Sequence, residues 1–570
     1  MNEEHDVNQT NAFFSMAETQ TVNRMARGKG YSLSSPPVLI YNNNVKHKYK
    51  GHKNMSIKKQ LLAASVLTTV ALAVGGSLSP VFADSKSDTF TYAISSDLES
   101  TNPITTSDRW GLTFDNIQYS PLFHVEENGS LTPVLATKDT VSSDGKTITV
   151  DLRQGVKWSD GQPFTADDVV FTYQKLADKA NGNSDKFYIN NKPIQIEKVN
   201  DHQVKFILPE KSASAVNNLV TENFIIPKHV YENTKDFSGS SLTPGNVGTG
   251  PYTLESYKQG QEVRFVRNDN YFGEKPKLKH VVLRILTDPN ATDIALKKGE
   301  VDASFVLPTE LKNLKGHDLT VHAFSEDRVG YLGLNTHVKK LANKSVRQAI
   351  FYALDKNEMN KAAYLDKKYY NTPTSFLPPK NSFATTDVAA YKTNVGKAKA
   401  LLNKAGVKNL TLNLGYTSGD AAQKIQGSLI ASQLSKAGIK VNVEAVDATA
   451  LSTVIHKKDQ TKYDAFLNGY IMGTDPYQYT PLYTSTGFAN YWQYKDPAID
   501  KLFTKGDLES SASARQATYK KLQQKIADAA VMYPIVDNKK ILVMNKDVKG
   551  FTEAKTLPVY TFADWSKLSK

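Results

Sequence analysis

Not one cysteine occurs in the 570 residues of this chain, although residues 55–83 read as an export signal. An exported chain without thiols has no disulfide staples, no thiolate metal site and no cysteine nucleophile. Its fold therefore draws no stability from disulfide cross-links. A lipid-modified N-terminal cysteine is excluded as an anchor by the same count. The span 84–570 is about three domains' worth of chain, which is ample for large cores. An apolar content of 40% and a charged content of 22% are ordinary for a globular protein.

The signal has three parts in order. Lys58 and Lys59 supply the positive start, Leu61 to Val74 the apolar stretch, and Val81-Phe82-Ala83 the small or branched residues before a cut ahead of Asp84. An uncleaved membrane anchor is the alternative. Against it, the apolar part falls short of the roughly 20 residues a bilayer crossing needs, and Gly75, Gly76 and Pro80 follow it at once. Residues 1–54 fit no targeting class. Ser34-Ser35-Pro36-Pro37 and Asn42-Asn43-Asn44 lie in polar sequence without sustained apolar period. Lys50-Gly51 must be encoded by a purine-rich tract a few codons before Met55, as a bacterial ribosome-binding site would be. The expectation is that translation begins at Met55, with 1–54 a non-native or disordered extension.

The formal charge of +13 is spread, with Lys and Arg mixed among acids. That pattern excludes a nucleic-acid interface but suits adhesion to an anionic cell-wall polymer. Strands and helices intermix along 84–570. Thr147 to Leu152, Val204 to Leu208 and Val263 to Val266 read as strands. Helices are expected at Ala166 to Leu176, Val346 to Leu354, Val395 to Ala405, Ala421 to Ala437 and Ala514 to Ala529, the first of them with Thr165 as N-cap. Strand-rich sequence gives way near residue 345 to helices alternating with strands. The pattern is that of an α/β protein with more than one lobe.

Leu135 to Leu176 forms a coherent local unit: a turn at Ser143-Asp144-Gly145, a strand, a second turn at Trp158-Ser159-Asp160-Gly161, then the helix. Asp160, Asp167 and Asp168 sit where carboxylates serve turns and helix starts, so they read as structural rather than as metal ligands. This stretch closely resembles the family-5 extracellular solute-binding proteins, the oligopeptide, dipeptide and nickel receptors of ABC importers. The resemblance continues in order through GTGPYTLESYKQGQEVRFVRNDNYFG (Gly248 to Gly273), ALKKGEVDA (Ala295 to Ala303), LGLNTHVKKLANKSVRQAIFYALDKNEM (Leu332 to Met359) and Met532-Tyr533-Pro534-Ile535. It covers essentially all of 88–570.

The resemblance implies a two-lobed α/β fold of the periplasmic-binding-protein type (type II, cluster C) with an extra domain in the first lobe. Domain I would take 84–118, 246–305 and 531–570, domain II 119–245, and domain III 306–530. It implies a monomeric extracytoplasmic receptor without cofactor, which captures oligopeptides or dipeptides in a closing cleft and delivers them to ABC permease subunits. Nickel or haem binding on the same fold stays open, though no histidine cluster supports it. So does a wall-bound adhesin. A hydrolase is the remaining alternative, without a P-loop, His-Glu-x-x-His or Gly-x-Ser-x-Gly to support it.

One segment has binding chemistry of its own. Ala465 to Tyr494 is rich in tyrosine and punctuated by Gly469, Gly473, Pro476 and Gly487. Its rings could line a cleft wall or fill a core. In peptide-binding members the matching segment is Gly-Trp-x-x-Asp, whose acid grips the peptide ammonium. Here Tyr470, Met472, Gly473, Thr474 and Asp475 fall in that neighbourhood. Asp475 is the single acid where many members have two, and it also precedes Pro476, so both ammonium ligand and structural acid remain open for it. Ser107, Asp108, Arg109 and Trp110 resemble the first-lobe loop that contacts the ligand. Arg109 would pair a peptide carboxylate or stand in solvent.

Overall fold

The computed structural model describes residues 86–570 apart from 127, 182, 183, 221 and 222. The expected export signal at 55–83 and the residues before it lie outside the described residues.

Two strands of unusual length organise the molecule. Leu319–Leu334 runs antiparallel to Met532–Asn545, and both pass from one lobe into the other. In the first lobe Met532–Asn545 also pairs with Ala303–Val306, which continues the sheet through Thr89–Ile94, His280–Ile285, Glu262–Arg267 and Tyr252–Lys258. In the second lobe the far half of Leu319–Leu334 pairs with Ala465–Tyr470, followed by Leu410–Thr417 and Ile439–Val446. The ladder between the two long strands is interrupted between Ser325 and Val329, leaving Glu326, Asp327 and Arg328 at the junction, with Asp327 at φ 56°. An unpaired bulge of this kind bends a strand and increases its twist.

Residues Ala136–Val141, Thr147–Leu152, Gln203–Ile207 and Gln195–Asn200 form a separate antiparallel sheet. Thr147–Leu152 alternates half-buried and buried positions, the burial that its period of two dictates. The helix Ala166–Ala177 begins on Thr165 in a full capping box with Asp168. Asp168 also accepts the Lys228 N–H at 2.9 Å, so this carboxylate is scaffold, as its position in the first turn implies. Among the described residues no group of acids and histidines is arranged to hold a metal.

One apolar core runs through the first-lobe sheet and the extra sheet together, from Phe90 and Tyr92 to Phe206 and Ile226. The second lobe has a core on each face of its sheet. Leu332 and Leu334 point into one, beneath Lys344–Tyr352, Val395–Lys404 and Ala421–Ser435; Val329 and Tyr331 point into the other. Those helices fall where apolar periodicity put them. Among the described residues no helix is long and apolar enough to cross a membrane.

Candidate ligand cleft

Leu410–Thr417 is parallel to both Ile439–Val446 and Ala465–Tyr470, so their carboxyl ends share one edge of the second lobe. In open α/β sheets the crevice outside that edge is where ligands bind. Here the chain leaving Tyr470 enters the loop 471–475 and meets the first lobe. Asn217 Nδ2 lies 3.4 Å from Thr474 Oγ1, and the turn at Gly129 abuts Thr474.

A second contact closes the same side. The helix Pro497–Leu508 carries Asp507, whose carboxylate accepts the Ser214 N–H at 2.8 Å while its main-chain oxygen accepts the Ala213 N–H at 2.8 Å. Lys211 reaches Ser510 beside it. Asp507 is 6% exposed, and burial holds its carboxyl above the ordinary range despite bonds from Ser214 and Ser212. Between these contacts lies a cavity of about 240 Å³, lined by Tyr188, Ile194 and Ser214 from one side and Tyr477, Phe488 and Asp507 from the other. It is smaller than the ~300–1,000 Å³ of pockets that take whole small molecules, and matches a single large side chain.

The structure divides the sequence-derived residues into those at the lobe contact and those in the scaffold behind it. Thr474 is at the contact, with its carbonyl held by Asn381 Nδ2 at 2.8 Å. Gly473 takes φ 86°, a conformation that favours glycine, and a Cβ there would strike the Gln478 amide. Met472 is buried in the second-lobe core. Tyr470 is buried too, donating to the Phe376 carbonyl at 2.7 Å and lying 3.1 Å from the Tyr483 hydroxyl. Most rings of the aromatic segment follow it inward. Tyr479, Tyr483, Tyr491 and Trp492 fill core, whereas Tyr477 and Phe488 reach the cavity.

Asp475 is 3% exposed and fully engaged. Its Oδ2 accepts from Arg515 Nη2 at 2.8 Å and its Oδ1 from the Tyr477 N–H at 2.9 Å, while Gln478 completes a capping box. Arg515 in turn donates Nε to the Gly506 carbonyl at 2.9 Å and lies over the Phe383 and Tyr519 rings. This is the geometry of a structural acid that fixes the loop.

On the first lobe, Asp108 caps the helix Arg109–Gln118, accepting from the N–H groups of Trp110 at 3.1 Å and Gly111 at 2.9 Å. Burial raises its carboxyl to about 6. Arg109 is neither in solvent nor free for a ligand carboxylate. It is 6% exposed, ion-paired with the buried Glu326 of the lobe junction, and donates to the Val559 carbonyl at 3.1 Å. A guanidinium taken out of water needs such a counter-charge, and the long strand brings one to it. Trp110 packs against Tyr92 and Phe305. Ser107 is half-buried at the start of this cap. The quartet thus ties the first lobe to the junction rather than presenting a row of ligand groups.

Sequence reasoning missed Asp507, Ser214 and Asn217, which carry no motif and meet only in the fold.

A family profile described as "Bacterial extracellular solute-binding proteins, family 5 Middle" matches residues 130–502. The oligopeptide-binding protein AppA of Bacillus subtilis (strain 168) is 27% identical over 492 residues, covering 81% of this chain and 89% of that protein. Among solved structures, the ABC transporter substrate-binding protein CtaP of Listeria monocytogenes superposes with a TM-score of 0.81 at 34% identity, covering 84% of this chain and 99% of that one. A putative peptide-binding protein AppA from Clostridium difficile gives a TM-score of 0.78 at 31% identity, over 84% and 99%.

Proposed function

The chain belongs to the family 5 bacterial extracellular solute-binding proteins, and from that premise we propose that it is the peptide-capturing receptor of an ABC importer. Its lobes close over an extended peptide, which is then handed to the membrane permease. The observation that carries this reading is the pair of lobes joined by two through-running strands and meeting again at Asp507 and Ser214, with a crevice between. Such a hinge-and-contact arrangement converts ligand contacts that exist only in the shut state into closure. It supports binding and release rather than a covalent step.

A peptide in this crevice offers its main chain to backbone groups of both lobes and one large side chain to the cavity beside Tyr477 and Phe488. Main-chain pairing reads length and extended shape more than side-chain identity. In this reading the loop 471–475 is one face of the site, while Ser107 to Trp110 brace the first-lobe face from behind. Thr474 stands at its surface, and Arg109 and Asp475 hold the faces in place through Glu326 and Arg515. The receptor acts outside the cytoplasm as a monomer, and its net positive charge retains it at an anionic wall polymer.

Native mass spectrometry of the protein purified from its host tests the proposal. A closed-form complex heavier than the apoprotein by the mass of a peptide is the expected result. A bare protein that also binds no member of a peptide mixture by calorimetry would overturn it. Release from intact cells by high salt checks the wall retention separately.

A further inference from the structure

Lysines that are far apart in sequence gather at one edge of the second lobe. Two segments of the same design lead into its parallel strands, Lys404-Ala405-Gly406-Val407-Lys408 and Lys436-Ala437-Gly438-Ile439-Lys440. In each, a helix ends at or beside the first lysine, and the glycine turns the chain at positive φ, 71° at Gly406 and 82° at Gly438. The second lysine stands within two residues of the start of a strand. Those strands pair in parallel with Leu410 beside Ile439, so the two turns lie next to each other. The helix Ala448–His456 repeats the pattern, with Lys457 and Lys458 opening the loop that leads to Ala465–Tyr470. Leu334, paired with Ala465, leaves the sheet at the same edge, and Lys339 and Lys340 follow it. Lys340 donates to the Thr411 carbonyl at 2.9 Å, which ties that segment to the first turn.

All eight of these lysines are exposed. Within 335–343, 404–409, 436–440 and 457–464 the only acids are Asp459 and Asp464. Asp464 is buried and held by Lys340 at 2.7 Å and by the Asn413 N–H at 2.7 Å, while Asp459 lies 3.6 Å from His337 Nδ1. A cation in the last turn of a helix complements the helix dipole, which accounts for Lys404, Lys436 and Lys457. It does not account for Lys408 and Lys440 at strand starts. Nor does it account for Lys339 and Lys340, which open the short helix Lys339–Ala342 and so stand at its positive end. With neighbouring strands ~4.8 Å apart, the three steps from Leu319–Leu334 to Ile439–Val446 make a basic band about 15 Å wide. Like charges crowded in this way repel one another, and a bound polyanion relieves that repulsion.

Resting on the wall-retention part of the proposed function, we propose that this band is the surface by which the receptor holds a phosphate-bearing wall polymer. A chain of repeated negative charges meets several lysines at once. The compact, mobile charge of lysine suits a flexible partner better than the fixed fork of arginine. A lipid surface fits less well, because interfacial binding uses apolar side chains beside the lysines. None of the exposed large apolar side chains among the described residues lies in these segments. The crevice opens at the carboxyl edge of the same strands, so a polymer at their amino edge leaves it free. A receptor held in this way captures peptide while it is tethered.

Co-sedimentation tests the band against three partners: protein-stripped host cell walls, the same walls freed of phosphodiester-linked polymer by hydrofluoric acid, and vesicles of phosphatidylcholine with phosphatidylglycerol. The edge variant Lys404→Gln/Lys408→Gln/Lys436→Gln/Lys440→Gln spares Lys340, whose loss would strand the buried Asp464. The control Lys138→Gln/Lys146→Gln/Lys192→Gln/Lys277→Gln removes the same charge from exposed positions elsewhere. The wild type is expected to bind untreated walls, and to lose them at high salt or after acid treatment. The edge variant should bind roughly tenfold more weakly, the sum of four exposed charge pairs, with the control within about twofold of wild type. Equal losses in the two variants would assign retention to overall charge and overturn the band. Undiminished binding to acid-treated walls, or binding to vesicles in place of walls, would overturn it as well. A wild type that binds no walls defeats the wall-retention reading itself. Calorimetry with peptide should be unchanged in both variants, and its loss in the edge variant would refute the separation of band and crevice. If the edge variant fails to melt cooperatively, Lys457→Gln/Lys458→Gln takes its place, with about half the effect on a logarithmic scale.

Discussion

Replacing Asp475 with alanine separates a structural acid from a ligand acid. The wild-type carboxylate is 3% exposed and bonds Arg515 at 2.8 Å and the Tyr477 N–H at 2.9 Å. Removing it leaves a guanidinium with 12% side-chain exposure facing an emptied site. Breaking one side of a buried ion pair costs about 3–5 kcal/mol, and loss of a helix cap adds about 1 kcal/mol. Because both losses fall on one carboxylate they are not additive, and about 4 kcal/mol is expected in urea unfolding followed by tryptophan fluorescence. Trp492 lies in the same core and reports the event locally. The double variant Asp475→Ala/Arg515→Met removes the stranded charge but keeps packing on Phe383 and Tyr519, so it should regain most of that loss. Calorimetry with a peptide and its N-acetylated form supplies the second readout. If Asp475→Ala unfolds within about 1 kcal/mol of wild type yet ceases to distinguish the two peptides, the carboxylate serves the ligand ammonium and the structural reasoning fails.

Asp507→Ala removes the acceptor of an inter-lobe bond at 2.8 Å. At about 2 kcal/mol for a bond to a charged group, affinity should fall on the order of 30-fold, with a more open apoprotein in small-angle scattering; unchanged affinity would show that the contact does not hold the closed state. Because burial raises the Asp507 carboxyl, the closed form binds its proton more tightly. Peptide affinity should therefore strengthen as pH falls through that raised value toward the ordinary carboxylate range, and Asp507→Asn should lose this trend. Asp108, raised to about 6 by burial, contributes stability that is fully present below the ordinary carboxylate range and lost as pH rises through about 6. Asp108→Asn keeps the helix cap without the charge, so it should exceed wild-type stability at neutral pH by on the order of 2–3 kcal/mol, the gap closing by pH 4 in thermal melts; a pH-independent gap would contradict the assignment.

Local sequence carried the scaffold. Thr165 and Asp168 announce their helix because cap and partner lie three residues apart, and the helix Val395–Lys404 is written in its own apolar spacing. The aromatic segment was legible as rings but not as faces. Whether Tyr470 or Tyr477 reaches the cleft depends on strand direction and on what Phe376 and Tyr483 offer across the core. Arg109 shows the same limit, since its partner Glu326 arrives on a strand whose pairing sequence periodicity does not set. Asp507 and Ser214, separated by 293 positions, have no local sign at all. Charge on a side chain can be read from the sequence, whereas the counter-charge that spends it is a property of the fold.

The strand Met532–Asn545 is the last of the main sheet to be synthesised, yet it lies in the sheet's middle. Until it emerges, Ala303–Val306 and Leu319–Leu334 have no strand between them, and the two halves of the main sheet are not joined. Contacts of such long sequence separation make folding slow, and the joint between the halves waits until almost the final residues have emerged. Timing is thereby built into the order of the elements. A chain whose halves are joined only at its end stays unfinished for as long as it is being made, and one cut short before residue 532 loses the strand that joins them.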